Sequence, residues 1–256
     1  MGDNWVVGTF STFHIIYMIL IIPLMAGTLI WFKLKAKDEK KINLILYILS
    51  AILLVVIVIQ RISIVYWGIH DGVVKDVFGE QRTYNWWMVL PDSVCGFTSL
   101  CVPIFVFAWR KKTSNYLIES VFTISILGSL GTVFYPDYLN FQALWQARCW
   151  GGLIHHNLSA WICMAMLLCG KITPTLKRWY LNPIAVLTMH AYGFFCLFVL
   201  KFCSCMNIAS PLISGLFISS WYFLIIAYIA ANTLFLLILY LVKRHKQKKL
   251  EKAPQE

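Results

Sequence analysis

Seven long apolar runs that carry very little charge constrain this chain more than any other feature of its sequence. A transmembrane helix needs about 20 consecutive apolar residues, and each run is near that length or above it. The composition agrees, because 60% of the residues are hydrophobic and only 13% are charged, whereas soluble proteins carry about 25% charged residues. We therefore predict an all-α membrane protein, a bundle of seven transmembrane helices without a soluble domain. The predicted spans are 9–32, 42–66, 86–109, 116–135, 149–168, 181–202 and 213–242.

The positive charges predict how the bundle lies in the membrane. Seventeen of the 22 lysines and arginines fall in alternate connections and in the C-terminal tail, whereas the other connections hold four and the second span holds Arg61. The positive-inside rule then places the N-terminus outside and the C-terminus inside. We predict one transmembrane domain over 1–242 and a basic, disordered cytoplasmic tail over 243–256. This distribution is typical of a multi-pass membrane protein that contacts anionic lipid, and it argues against binding to nucleic acid.

Polar and ionisable residues from several spans are predicted to share one depth, in the outer half of the bilayer. Ionisable groups in hydrocarbon are costly, so they usually face a cavity or one another. At about 1.5 Å per residue, those of the third and fifth spans lie roughly 9–14 Å below the outer surface. We therefore predict one shared polar cavity that opens toward the outer leaflet. Its predicted members are His14, Gln60, Arg61, Asp92, Cys95, His155 and His156.

Cys95 and His156 are the candidates for a nucleophile and its base. Small residues at three- and four-residue spacing turn His156 into the bundle, at a depth similar to that of Cys95. A histidine within hydrogen-bond reach can convert a cysteine to the nucleophilic thiolate, and arginines can hold a lipid phosphate. The combination suggests acyl transfer from a phospholipid ester. Each residue also has a structural interpretation: packing for the cysteine, a hydrogen-bonding strut for the histidine, an interfacial charge for Arg61 or Arg148, and a cap beside Pro91 for Asp92.

Five motifs resemble, in sequence and in order, those of the YwaF-type integral membrane proteins of bacteria, which are similar to the animal transmembrane protein 164 group. The likeness covers most of the chain. The animal group is regarded as a cysteine-dependent acyltransferase that moves a fatty acyl chain between phospholipids. The motifs are "LPDSVCGFTSLCVPIFVF" (90–107), "LGSLGTVFYPD" (127–137), "RCWGGLIHHNLSAW" (148–161), "KITPTLK" (171–177) and "MNIASP" (206–211).

The resemblance implies an active site in the outer half of the membrane. It places the nucleophile on Cys95 and the histidine on His156. Two positions depart from the family pattern: Ser93 stands where a histidine is common, and Asn157 stands where a glycine follows the histidine pair. These departures leave open a different substrate or an inactive relative. In the predicted site, His155, Asn157 or Asp92 orients the base, while Arg61 and Arg148 hold the head-group phosphate.

Several alternatives stay open on the sequence. The histidine alone could activate an acceptor for direct transfer, without a covalent step on the cysteine. The same polar residues could belong to a lipid or small-molecule binder or transporter, or to a partner subunit without chemistry of its own. We expect membrane phospholipids as partners, a lysolipid or lipoprotein terminus as a possible acceptor, and a bacterial plasma membrane as the location. No motif for a metal or cofactor is present, so we expect none; the oligomeric state is not predicted.

Overall fold

Helices form most of the computed structural model, which describes residues 6–7, 10–35, 38–75, 81–108, 112–135, 142–143, 146–208 and 220–251. The described ranges contain seven α-helices, two 3-10 turns and two small antiparallel sheets. The helices are α1 (Thr12–Leu34), α2 (Glu39–Asp71), α3 (Val94–Phe107), α4 (Lys112–Phe134), α5 (Ala147–Leu168), α6 (Leu181–Phe198) and α7 (Trp221–Glu251). The 3-10 turns are Trp86–Val89 and Leu176–Arg178, and the strands are β1 (Val6–Val7), β2 (Val73–Lys75), β3 (Gln81–Thr83) and β4 (Gln142–Ala143).

Six of these helices are long and apolar enough to cross a membrane, which makes the protein a multi-pass membrane protein. The third predicted span differs from the expectation of one continuous helix over 86–109. It consists of the 3-10 turn Trp86–Val89, an extended break, and α3 with 14 residues, a length of about 21 Å. Pro91 explains the break, because a proline forces the preceding residue into an extended conformation, and Leu90 has ψ 150°.

Helix α5 is the most buried of the candidate spans and packs against α1, α2, α3 and α4. Small residues allow this close packing. On Gly151, a Cβ atom would lie 3.0 Å from the side chain of Gln60 in α2, so the glycine allows a close contact between the two helices that a larger residue would disturb. Helices α1 and α7 have the most exposed surfaces, as expected for helices that face lipid. The residues of the predicted site therefore lie on a central helix and its neighbours.

The two sheets lie in the connections at the end of the bundle where α1, α3 and α5 begin. Strand β1 precedes α1 and pairs antiparallel with β4, which precedes α5. Strand β2 follows α2 and pairs antiparallel with β3, with Val73 opposite Thr83. This end is the predicted outer one. The first sheet thus joins the segment before α1 to the connection before α5, and the second lies within the connection between α2 and α3.

At its C-terminal end, α7 continues into the segment that the sequence predicts as a disordered tail. The helix extends to Glu251, beyond the predicted boundary at 242. The segment "KRHKQKKLE" is rich in lysine and contains arginine, glutamine, leucine and glutamate, all of which have high helix propensity. A basic helical extension therefore follows the last apolar turn.

Candidate active site

Arg61 binds the residues of the extended break before α3. Its Nη1 atom lies 2.8 Å from Oδ1 of Asp92 in an ion pair. Nη2 donates to the carbonyl oxygens of Met88 (2.5 Å) and Leu90 (2.8 Å), and Nε donates to that of Val89 (3.3 Å). These carbonyl oxygens are available as acceptors because the 3-10 turn and the extended residues after it make no regular helical hydrogen bonds. The buried guanidinium is thus fully engaged by protein oxygens.

Cys95 lies in the first turn of α3, directly after this break. Ser93 is the N-cap, and its Oγ accepts a hydrogen bond from the amide of Gly96 at 3.1 Å. Ser93 therefore has a defined structural role at the position where the related proteins often carry a histidine. First-turn amides have no acceptor within their own helix. The N–H groups of Val94 and Cys95 therefore lie at the positive end of the helix dipole.

The Cys95 thiol lies against α4 and near α7. A Cβ atom placed on Gly128 of α4 would be 3.0 Å from Sγ of Cys95 and 3.9 Å from the hydroxyl oxygen of Tyr228 in α7. Gly128 therefore leaves room for the thiol, and both polar groups border the same point of α4. The sequence analysis identified neither residue as part of the site. The only signal for Gly128 was its place in the small-residue motif "LGSLG" (127–131).

His155 connects α5 to the helix that carries the cysteine. Its Nδ1 atom lies 3.0 Å from Oγ of Ser99, which is one helical turn after Cys95 on the same face of α3. The ring of His156 packs on that of His155, with centroids 4.1 Å apart, and both residues are buried. His155 thus contacts α3, and the sequence pattern predicts that His156 also points into the bundle. A direct contact between Cys95 and His156 stays a prediction.

Asn157 and Asp92 have structural partners. The Nδ2 atom of Asn157 donates to the hydroxyl of Tyr17 in α1 and, at 2.6 Å, to the carbonyl oxygen of Leu153. These bonds tie α5 to α1. Besides its ion pair, Asp92 accepts the amide of Met206 on its backbone oxygen at 2.7 Å. The side chain of Arg148 lies outside the described residues.

Two further buried contacts fix α5 and α1 around the site. Ser159 of α5 shares a hydrogen bond with Ser125 of α4. In α1, His14 accepts the amide of Phe10 on Nδ1 at 3.0 Å, so its Nε2–H donates to the carbonyl oxygen of Val133 at 2.8 Å. The second contact fixes the tautomer of His14, because one ring nitrogen of a neutral imidazole accepts and the other donates. His14 therefore acts as a strut between α1 and α4.

A second polar cluster lies away from this site, between α4, α6, α7 and the turn Leu176–Arg178. Glu119 is buried and forms a bidentate ion pair with Arg178, with both N···O distances 2.7 Å. Asn182 and Asn232 line the same small cavity. Glu119 is a buried ionisable group outside the polar cavity that the sequence predicts in the outer half of the bundle. The pair is self-neutralising, which explains how a carboxylate is accommodated there.

The chemistry available at the site is that of a thiol, two imidazoles and first-turn amides. Within the described ranges, no set of three or more His, Cys, Asp or Glu side chains is arranged to hold a metal ion. Nucleophilic acyl transfer requires a thiol, a histidine near it and amide donors. Here the histidine is His155 of α5, which is hydrogen-bonded to the face of α3 that carries Cys95. This arrangement is compatible with the activity that the sequence resemblance implies.

Comparison with known proteins identifies the family of the chain. No curated protein and no solved structure matches it. A family model does match, and it is that of the TMEM164 family, over residues 9–242. The match includes all seven helices up to the last apolar turn of α7, and hence every residue of the site described above. The chain belongs to the TMEM164 family.

Proposed function

We propose that this protein is a membrane-embedded lipid acyltransferase that moves a fatty acyl chain from a phospholipid through Cys95. One observation carries the proposal: the thiol lies in the first turn of α3, and His155 is bonded to Ser99 one turn further along the same face. Membership of the TMEM164 family and the acyltransferase activity implied by the resemblance agree with it. The ester bonds of outer-leaflet phospholipids lie at the depth predicted for the thiol.

In the first half-reaction, the Cys95 thiol transfers its proton to His155 and Sγ attacks the carbonyl carbon of the ester. The electron pair of the C=O bond moves to the oxygen, where the first-turn amides of α3 stabilise the negative charge. The tetrahedral species then expels the lysophospholipid oxygen, which takes the proton from the imidazolium. A thioester on Cys95 remains. In the second half-reaction, an acceptor hydroxyl of a lysolipid, or an amine at a lipoprotein terminus, attacks the thioester and the thiol is restored.

We assign the proton transfer to His155 because of its contact with α3. When Nδ1–H donates to Ser99, Nε2 carries the lone pair that accepts the proton. His156, the base favoured by the sequence pattern, packs against this ring. Arg61 and Asp92 would hold the start of α3, because their polar groups already have protein partners. Arg148 is the proposed contact for the head-group phosphate, and Asn157 anchors α5 to α1.

A test of this function compares wild type with Cys95→Ser and Cys95→Ala in liposomes that contain a donor phospholipid with a labelled acyl chain. We expect labelled product lipids with wild type only, and a hydroxylamine-sensitive label on the peptide that contains Cys95 after brief exposure to donor. Cys101→Ser, on the same helix, is the matched control and should keep its activity. Wild type that yields no new acyl species would refute the acyltransferase proposal and leave a binder, a transporter or a partner subunit.

A second candidate mechanism uses the histidines without a covalent step. It is favoured by the burial of both rings beside each other. In this mechanism, His155 removes the proton from the acceptor, which attacks the phospholipid ester directly. A Cys95→Ala protein that keeps its rate and never carries a labelled acyl group would establish this version. For either mechanism we propose a location in a bacterial plasma membrane, with the site open to the outer leaflet.

A further inference from the structure

Tyr228 is a polar group on a helix that is otherwise typical of a lipid-facing one. Helix α7 has one of the most exposed apolar surfaces of the bundle. Tyr228 is nevertheless partly buried, packs against the main core and brings its hydroxyl toward α4. A phenol in a membrane helix usually has its hydroxyl at the interface or on a polar partner. The inward position of this hydroxyl therefore needs an explanation beyond packing.

The hydroxyl of Tyr228 reaches the point of α4 where the cysteine thiol also lies. The absent Cβ of Gly128 would be 3.9 Å from Oη of Tyr228 and 3.0 Å from Sγ of Cys95. The thiol is thus bordered by α3 amides at its own helix terminus and by a phenol from α7. An acyl group on Sγ carries its carbonyl oxygen one bond beyond the atom attached to sulfur, so that oxygen can occupy the space between the thiol and the hydroxyl.

We propose that Tyr228 donates a hydrogen bond to the carbonyl oxygen of the acyl group during its transfer through Cys95. This inference rests on the proposed function, and it assigns a second oxyanion donor to that site. When Sγ attacks the ester, the C=O electron pair moves to oxygen and the phenol O–H stabilises it while keeping its own proton. When the tetrahedral species collapses, the pair returns and the C–O bond of the leaving lysolipid breaks. A donor in a dry site, aimed at charge that forms only in the transition state, gives a large rate effect.

The position on α7 also has a consequence for the order of events. Helix α7 has a largely exposed surface and few buried residues, so the donor belongs to a wall of the site that borders lipid. A phospholipid that enters between α7 and its neighbours would meet Tyr228 before its ester reaches the thiol. The phenol would therefore orient the carbonyl as well as stabilise its charge.

The first experiment replaces only the hydroxyl, with Tyr228→Phe. We expect kcat to fall about 100- to 1,000-fold, the range for loss of one oxyanion donor, with KM within about twofold because the ring is retained. Tyr240→Phe is the matched control, since Tyr240 lies on the same helix with an exposed side chain; it should keep wild-type kcat. A Tyr228→Phe protein with kcat within twofold of wild type would overturn the proposal.

A second measurement observes the proposed hydrogen bond directly. A ¹³C-carbonyl donor should give a Cys95 thioester whose infrared C=O band lies below that of the same thioester in hexane, because a hydrogen bond weakens the C=O bond. In Tyr228→Phe the band should move to higher frequency. A labelled thioester whose band is identical in wild type and Tyr228→Phe would refute the role of Tyr228 and leave the acyltransferase proposal intact. Wild type that transfers no acyl chain would refute both.

Discussion

Gly128→Ala is the substitution that tests most directly where the thiol lies. Gly128 and Gly131 are both on α4, but only the first faces the site. An added Cβ at 128 would lie 3.0 Å from Sγ of Cys95, whereas one at 131 would meet nothing within 4 Å. Because carbon and sulfur prefer a separation of about 3.5–4.0 Å, the thiol would have to move by about 0.5–1 Å.

The expected effect on activity is large, while that on stability is small. A displacement of about 1 Å at a reacting atom can reduce the rate about 100-fold, so we expect Gly128→Ala to lose between 10- and 100-fold in acyl transfer. The thiol can escape the new methyl group by rotation, and alanine favours the helix by about 1 kcal/mol over glycine. The free energy of unfolding of Gly128→Ala should therefore stay within about 1 kcal/mol of wild type. Gly131→Ala should gain up to about that amount and keep full activity.

The assay combines initial rates in liposomes with the rate of Cys95 alkylation by a membrane-permeable maleimide. Alkylation reports the position and access of the thiol even if the protein transfers no acyl chain. We expect slower alkylation in Gly128→Ala and an unchanged rate in Gly131→Ala. If both variants are alkylated and turn over like wild type, the thiol does not lie against α4 and the reasoning fails.

Three other predictions concern the histidines, the break before α3 and the topology. His155→Ala should reduce acyl transfer more than His156→Ala, and Ser99→Ala should lower kcat without affecting KM, because it removes the acceptor that orients the His155 ring. Equal rates in all three variants would remove His155 from the mechanism. Arg61→Met should lower the free energy of unfolding by about 3 kcal/mol, because it leaves Asp92 and three carbonyl groups without their partner. Asp92→Asn should lower it by only about 1 kcal/mol. Thermal unfolding in detergent compares the two variants. A reporter fused after Glu256 should be cytoplasmic, and an external signal there would reverse the predicted orientation.

Much of the helical layout could be predicted from hydropathy, because a spanning helix needs about 20 apolar residues. Six of the predicted spans correspond to helices of that kind. The exception is the span with Pro91, where the apolar run continues through residues that cannot remain helical. Hydropathy does not register the loss of one amide donor or the steric restriction on Leu90. It therefore joins the 3-10 turn and α3 into one helix.

The site was predictable only in its residue types. Cys95, His155 and His156 were identified because ionisable residues are conspicuous within apolar runs, whereas Ser99 was not identified as the partner of His155. Successive side chains on a helix point about 100° apart. The choice between His155 and His156 therefore depends on the rotation of α5 about its own axis relative to α3, which helical spacing alone could not fix. Gly128 and Tyr228 meet from helices that are far apart in sequence. Nothing in either local segment indicates that contact.

The contacts of Arg61 also bear on how the chain enters the membrane during synthesis. On insertion scales an arginine at the centre of a helix is unfavourable by about 2.5–3.5 kcal/mol, and α2 carries Arg61 before its acceptors at Met88, Leu90 and Asp92 have left the ribosome. Helix α2 is then best delivered as a hairpin with the segment that follows it. The start of α3 also depends on Tyr192 of α6. The hydroxyl of Tyr192 donates to the carbonyl oxygen of Pro91 at 2.8 Å, and the two residues are 101 positions apart in the sequence. The contacts that fix the start of α3 are thus complete only after α6 has been made, and a truncated chain that ends before α6 would lack the hydrogen bond from Tyr192 to Pro91.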